Sequence, residues 1–460
     1  MGMWQGKHVL VLGLGESGLA LARWLAREGA SVRVADSRAN PPGAEALCAA
    51  LPGVSLTAGA FDLDLLVGVD VLAISPGLDP RQPVIAAARE RGIPVTGEIQ
   101  VFVDALTALG ERDRCRLIAI TGTNGKTTTT ALTAALCRAA GADAVEAGNI
   151  SPATLAVLLD RLNAGQPLPD CWVLELSSFQ LETVSELCAD AAVVLNISDD
   201  HLDRYDSLAD YAATKARIFA GARVAVANRD DARVASMLGD AASATFGLDK
   251  PHRVTDYGIR DGHLVRGDEA LIAIDALPLA GLHNAANALA ALALCEAIGL
   301  STERLLEGLR SFRGLPHRVE RIGERDDGVT YYDDSKGTNV GATIAALAGL
   351  QRSVLLIAGG DGKGQDFSPL REPVTRHARA VILIGRDGPQ IAAALDGTHV
   401  PIEFAADLPR AVLRADALAQ PGDAVLLSPA CASFDMFRSY VHRADVFVEA
   451  VRALPRVAAA

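Results

Sequence analysis

The residues densest in chemistry are Ile118-Ala119-Ile120-Thr121-Gly122-Thr123-Asn124-Gly125-Lys126-Thr127-Thr128. An apolar strand runs into small residues and then into a helix start. Small residues let backbone N–H groups turn inward around phosphate oxygens, and the helix N-terminus adds partial positive charge. Lys126 brings a full charge to β- and γ-phosphates, and Thr127 a hydroxyl for Mg²⁺. The standard phosphate-loop spacing asks for glycine where Ile120 stands, so what remains is the compact Gly-x-x-Gly-Lys-Thr core. We read Gly122, Thr123, Asn124, Gly125, Lys126, Thr127 and Thr128 as an ATP-binding loop.

A second glycine turn, Gly13-Leu14-Gly15-Glu16-Ser17-Gly18, follows an earlier strand and matches the dinucleotide fingerprint; Asp36 ends the next strand, where an acidic residue meets a ribose. By itself this reads as NAD and an oxidoreductase. No hydride-transfer constellation follows it, and the same turn cradles any pyrophosphate, so a UDP- or other nucleotide-linked substrate fits better. Three further polar residues sit near apolar strand ends or on a helix: Glu175, His201 and Lys215. A carboxylate at a buried strand end beside a phosphate loop is a natural Mg²⁺ ligand. A lone histidine or a helical lysine is more often structural.

Alternating elements must position these groups. His8–Leu12, Ser31–Ala35, Val69–Ile74 and Pro94–Thr96 read as strands around helices at Gly18–Glu28 and Pro83–Arg91. Leu117–Ile120, Trp172–Leu176, Ala191–Leu195 and Arg223–Ala227 form a second set. Its helices are expected at 126–140, 211–219 and 284–298, with a β-rich insertion over 244–275. Val329–Tyr332, Ser353–Ala358, Ala380–Ile384 and Ala424–Leu427 form a third set. The expectation is three α/β domains: a Rossmann-like N-terminal domain (1–97), a central P-loop-type ATPase domain with a mainly parallel sheet (98–314), and a Rossmann-like C-terminal α/β domain (315–460).

Composition agrees. Of 460 residues, 50% are hydrophobic and only 4% aromatic, which suits Ala/Leu/Val/Gly helices packed on parallel sheets. A net charge of -13 argues against nonspecific nucleic-acid binding. Seven cysteines without a CxxC pair read as reduced, mostly buried thiols in a cytoplasmic protein. The apolar 8–25 stretch is too interrupted by Gly13, Gly15, Glu16, Gly18 and Arg23 to span a bilayer. No membrane insertion is expected, and the chain is expected to be a monomer.

Taken together, these segments resemble the Mur ligases, the ATP-dependent amide ligases of peptidoglycan precursor synthesis. Besides both glycine turns, the resemblance rests on Asp36-Ser37-Arg38, Leu174–Glu182, Asp200–Tyr205, His283–Ala291, Leu315–Arg318, Asp333–Asn339, Gly359–Phe367 and Ser428–Phe437, and covers essentially the whole chain. The runs Glu175–Glu182 and Ser428–Ser433 are most similar to the member that joins D-glutamate to UDP-N-acetylmuramoyl-L-alanine. Sibling Mur enzymes, folylpolyglutamate-type ligases and an L-glutamate-using variant are the alternatives.

The resemblance implies ATP and two Mg²⁺ ions, one held by Thr127 and Glu175 and a second served by His201, and an N-carbamate on Lys215 as an anionic ligand. It implies Asn287 at adenine, Asp334 at ribose and Arg318 at the γ-phosphate, with Lys126, His201, Lys215 and Arg318 as the catalytic set. Gly15, Glu16, Ser17, Asp36, Ser37, Arg38, Gly77 and Asn149 would hold the UDP-substrate; Lys336, Thr338, Lys363, Ser433 and Phe434 would surround D-glutamate. Phe434 and Tyr440 depart from the family pattern, which has Leu and Phe there in some members. The third domain must reach ATP on the second, so hinge closure near Gly314 is expected.

Overall fold

The computed structural model describes residues 2–199, 204–238, 241 and 243–459. Three sheets organise them. The first holds β1 (His8–Leu12), β2 (Ser31–Asp36), β3 (Ser55–Ala58), β4 (Val71–Ile74) and β5 (Val95–Gly97), all parallel, in the order β3-β2-β1-β4-β5. Strand order reverses beside β1, so the Gly13 turn and the segment after Ile74 open a crevice at the carboxyl ends, where such sheets bind ligands. Gly13 has φ 86°, and Gly18 lies so close to the turn that an added Cβ would be 1.9 Å from the Gly13 carbonyl oxygen.

The second sheet holds β6 (Arg116–Thr121), β7 (Ala144–Gly148), β8 (Cys171–Glu175), β9 (Ala191–Val194), β10 (Val224–Asn228), β11 (Ala244–Phe246), β12 (Tyr257–Arg260), β13 (His263–Arg266) and β14 (Glu269–Ala273). Its order is β14-β13-β12-β11-β10-β9-β6-β8-β7, which puts β6 between β8 and β9. Parallel pairing runs from β7 to β12; β12–β14 pair antiparallel. The stretch expected to be an insertion is thus an extension of the sheet itself, since β11 pairs with β10 in register Val226 to Ala244. β6 reads Leu-Ile-Ala-Ile without a polar break and is buried on both faces.

The third sheet holds β15 (Glu320–Arg325), β16 (Thr330–Asp333), β17 (Val354–Gly359), β18 (Ala378–Ile384), β19 (Ile402–Phe404), β20 (Ala424–Leu427) and β21 (Val457–Ala459), in the order β19-β18-β17-β20-β16-β15-β21. The edge pairs β16–β15 and β15–β21 are antiparallel. Among the described residues no helix is long and apolar enough to cross a membrane. All seven cysteines are free; Cys48 and Cys188 are exposed and the other five buried.

Candidate functional site

The phosphate loop leaves β6 at Thr121 and enters the helix Lys126–Ala139. Gly122 and Gly125 take φ 156° and 81°. The second is in the left-handed region, and a Cβ there would lie 2.7 Å from Asn287 Oδ1. A segment after β9 straps the loop. Asn124 N–H donates to Asn196 Oδ1 (2.8 Å), Asn196 Nδ2 donates to the Asn124 carbonyl (3.0 Å), and Ser198 N–H donates to Thr123 Oγ1 (3.0 Å). Lys126 Nζ folds back onto the carbonyls of Gly122 and Thr123, 2.9 Å from each. The loop is therefore shaped before any phosphate enters it.

Beside it, β8 ends at Glu175, which is 2% exposed. Its Oε1 accepts from Asn149 Nδ2 at 2.8 Å, whereas Oε2 is buried with no hydrogen-bond partner. A buried carboxylate oxygen left without a donor is the group a hard cation satisfies, so the donor set fits Mg²⁺. Thr127 lies in the first turn of the helix at the same loop. Lys215, on the helix Leu208–Ala216, is 1% exposed. Its Nζ donates to the Gly122 carbonyl (2.9 Å) and Thr121 Oγ1 (3.2 Å) and sits 4.8 Å from the Tyr211 ring centre. The bland reading of Lys215 as a surface lysine fails on that burial. His201 lies outside the described residues.

A cavity of about 280 Å³ opens between the second and third sheets. Asn124, Gly125, Thr128 and Asn287 line one side, and Arg318, Asp334 and Lys336 the other. Asn287, on the helix Leu282–Ala297, accepts from Thr129 Oγ1 (3.2 Å) and donates to Asn284 Oδ1 (3.2 Å). Burial raises the Asp334 carboxyl to about 7, against the Ser428 hydroxyl, which donates to it at 2.7 Å, and the Arg318 charge. Burial lowers Lys336, and the like charges of Arg318 and Lys126 add to it while Glu175 opposes; Arg318 is lowered by burial too, against Glu175 and Asp334. Both cations of the third unit thus sense Glu175 of the second, and Lys336 senses Lys126 as well. Asn339 Nδ2 bridges the units by donating to Asn124 Oδ1 at 3.2 Å.

The residues expected at the amino acid lie on loops after β16, β17 and β20. Lys336 Nζ stacks over the Tyr440 ring at 3.9 Å. Thr338 follows on the same loop and is half-buried. Lys363 is exposed at φ 51°, Ser433 is buried, and Phe434 is 71% exposed. Arg443 escaped the sequence reading. It is fully buried and donates to the Ser335 carbonyl (2.8 Å), Ser335 Oγ (3.0 Å) and the Cys431 carbonyl (3.1 Å). It therefore ties the Asp333–Thr338 loop to the Ser428–Phe434 loop.

At the first crevice, Asp36 is not open to a ribose. Its carboxylate accepts from Arg38 Nε (2.8 Å), Arg38 Nη2 (2.6 Å) and Leu14 N–H (2.6 Å), and the Arg38 bonds chiefly hold it down at about 2. Arg38, half-exposed, is what the pair presents to solvent, beside Ser37. Gly15 caps the helix Glu16–Arg27, and Ser17 lies in its first turn. Gly77 is exposed just past β4, where the neighbouring Pro76 carbonyl accepts from Arg204 Nη1 at 3.4 Å. Arg204 is paired with Glu182 and lies 4.0 Å from the Phe179 ring centre. Glu16 reaches across to Ser151 and Ala153 of the second unit, while Asn149 bonds Glu175 within its own unit.

Three family models match: the MurD-like N-terminal domain of Mur ligases over residues 7–97, the Mur ligase middle domain over 120–295, and the Mur ligase glutamate ligase domain over 317–431. The chain is similar to the UDP-N-acetylmuramoylalanine–D-glutamate ligases of Aromatoleum aromaticum (62% identity, 99% of both chains) and Dechloromonas aromatica (56%, 98% of this chain and 99% of that one). Among solved structures it shares its fold with MurF of Acinetobacter baumannii (TM-score 0.59, 16% identity, covering 97% of this chain and 92% of that one). It shares it also with UDP-N-acetylmuramate-alanine ligase MurC of Thermotoga maritima (TM-score 0.56, 19% identity, covering 97% and 99%).

Proposed function

The chain belongs to the Mur ligase family, and from that premise we propose that it joins D-glutamate to UDP-N-acetylmuramoyl-L-alanine at the expense of ATP, in the peptidoglycan precursor synthesis of the cytoplasm. The observation that carries the reading is the inter-unit cavity. It brings the Lys126 loop against Arg318, Asp334 and Lys336.

A carboxylate does not acylate an amine at neutral pH unless its oxygen becomes a leaving group. The terminal carboxylate of the UDP-substrate attacks the γ-phosphorus of ATP, giving an acyl phosphate and ADP. Lys126 and Arg318 offset the charge on the transferring oxygens. The amine of D-glutamate then adds to the acyl carbon, loses a proton, and the tetrahedral intermediate expels phosphate to leave the amide. Thr127 and Glu175 would hold Mg²⁺, which lowers the charge on the phosphates; His201 and a carbamylated Lys215 would serve a second ion. Asn287 faces adenine and Asp334 the ribose. Gly15, Ser17, Ser37, Arg38 and Gly77 hold the nucleotide end of the UDP-substrate. Asn149 stands near its reacting end, and Lys336, Thr338, Lys363, Ser433 and the Phe434 backbone surround D-glutamate. The enzyme acts as a monomer of three domains, 1–97, 98–314 and 315–460.

The test is ATP-dependent phosphate release with UDP-N-acetylmuramoyl-L-alanine and, in parallel, D-glutamate, L-glutamate and meso-diaminopimelate. Release with D-glutamate alone is expected. Release only with another amino acid would overturn the substrate assignment.

A further inference from the structure

The helix Thr154–Asn163 begins without a cap of its own. Its N-cap is Ala153, which has no side-chain oxygen to offer the first N–H groups. Two glutamates from outside the helix supply the missing acceptors. Glu98 Oε1 accepts from Leu155 N–H at 2.7 Å and from the Thr154 hydroxyl. Glu16 Oε1 accepts from Ala153 N–H and from Ser151 Oγ, both at 2.9 Å. Glu16 is the first residue of the helix that follows the Gly13 turn, and Glu98 opens the helix directly after β5. Glu16 therefore crosses from the first sheet's unit to the second, and Glu98 stands at the boundary between them.

The segment so held leads straight to the chemistry. Gly148 N–H donates to the Pro152 carbonyl (3.2 Å), closing the 148–152 turn, and an added Cβ at Gly148 would lie 2.4 Å from the Glu175 carbonyl oxygen. Asn149 is pinned twice to Glu175: its N–H donates to the Glu175 carbonyl and its Nδ2 to Oε1, both at 2.8 Å. One continuous set of contacts thus runs from the nucleotide-side glycine turn, through Glu16, Ser151 and Ala153, to Asn149 and Glu175.

We propose that Glu16 is a positioning residue, its carboxylate holding Ser151 and Ala153 while Glu98 holds Thr154 and Leu155, so that the substrate held at the glycine turn finds Asn149 already in place. The proposal rests on the assignment of that turn to the UDP-substrate. A glutamate in this position otherwise makes little sense. Freed from Ser151 and Ala153, its carboxylate would stand at the start of the very helix expected to receive a diphosphate, and like charge would repel it.

The experiment uses the full chain. In Glu16→Ala, KM for UDP-N-acetylmuramoyl-L-alanine should rise about tenfold, ~1.4 kcal/mol, while KM for ATP stays within about twofold. Glu16→Gln, whose amide oxygen still accepts both bonds, should recover most of that loss. Ser151→Ala removes one donor only; it should give a smaller rise of the same kind and add nothing in the Glu16→Ala background. Equal rises in both KM values, a Gln variant as poor as the Ala variant, or an additive Ser151→Ala would each overturn the proposal. Amide hydrogen exchange reads the clamp without any substrate: protection at Ala153 should fall in Glu16→Ala, and unchanged protection overturns the clamp even where kinetics change. If the wild type turns over a different nucleotide-linked acid, the substrate assignment fails, and the exchange result still decides the clamp.

Discussion

Glu98 allows a sharp test of how burial sets stability. Its side chain is 2% exposed and its Oε2 is buried without a hydrogen-bond partner. Burial raises the carboxyl from 4.5 to about 7, against the bonds from Thr154 and Leu155 and with help from the nearby Glu16 charge. In the unfolded chain the group titrates near 4.5. Between these two values the folded state holds a proton that the unfolded state has lost. The stabilising contribution is therefore fully present below pH ~4.5 and is lost as pH rises through about 7. The rise from 4.5 to about 7 sets the loss at about 3 kcal/mol. Glu98→Gln does not titrate. Its amide oxygen can still accept from Thr154 and Leu155, but its NH₂ inherits the partnerless side, at a cost of ~1–3 kcal/mol. At pH 5 the variant should be equal to or less stable than wild type; by pH 8 the difference between them should have moved by about 2.5 kcal/mol in the variant's favour, some of the loss having occurred below pH 5 already. Denaturant unfolding of both proteins from pH 5 to pH 8 measures this. Parallel pH profiles would refute the reasoning, because they would mean that Glu98 stays ionised in the fold.

Three further outcomes follow from the cavity and its surroundings. Lys215→Ala should be nearly inactive and partly restored by short added carboxylates; full activity without them would remove the carbamate, and phosphate release is the assay. Arg318→Ala should lower kcat by about 10²–10³, the scale of losing one positioned charge donor, with the melting temperature nearly unchanged, and a loss confined to KM would reassign Arg318 to ground-state binding. Gly314, at φ 85°, stands between the last helix of the second unit and β15, so small-angle scattering should show compaction on adding ATP and the UDP-substrate, and an unchanged radius would count against a hinge there.

What the sequence disclosed was local. Strand, glycine turn and helix start are neighbours along the chain, so both turns and the polar strand ends at Asp36 and Glu175 could be placed. Long buried strands were legible for the same reason, being uninterrupted apolar runs. The solvent-facing strands β3 and β15 were not. β3 is largely exposed, and β15 reads Glu-Arg-Ile-Gly-Glu-Arg with only Gly323 buried, so neither shows the apolar run or alternation that marks a strand. Over 144–163 the resemblance pointed to Asn149, but no strand or helix was expected, although the stretch supplies β7 and the helix with the alanine cap. Arg443 and the Glu16 clamp were invisible for a different reason. Ser335 lies 108 residues from Arg443, and Ser151 lies 135 residues from Glu16; no local pattern announces such partners.

Ile120 shows how a departure from a motif becomes intelligible once the elements are in place. The standard spacing asks for glycine at this position because the chain begins to curve around phosphate there. Here Ile120 is fully buried in β6, paired with Glu175 on one side and Val193 on the other. A glycine would weaken the strand and leave a void in the cluster with Ile118, Val173 and Val193. The curvature starts two residues later instead. Gly122 takes the extreme φ with Leu195 and Asn196 packed against it, and Gly125 makes the left-handed step into the helix. The straps from Asn196 and Ser198 then do what the missing glycine's extra turn would have done, holding Thr123 and Asn124 in a closed loop. By this reasoning Ile120→Gly should lower stability without improving ATP affinity, whereas Asn196→Ala should leave the core intact and raise KM for ATP. A tighter KM for ATP in Ile120→Gly would show that the loop's curvature does begin at that position.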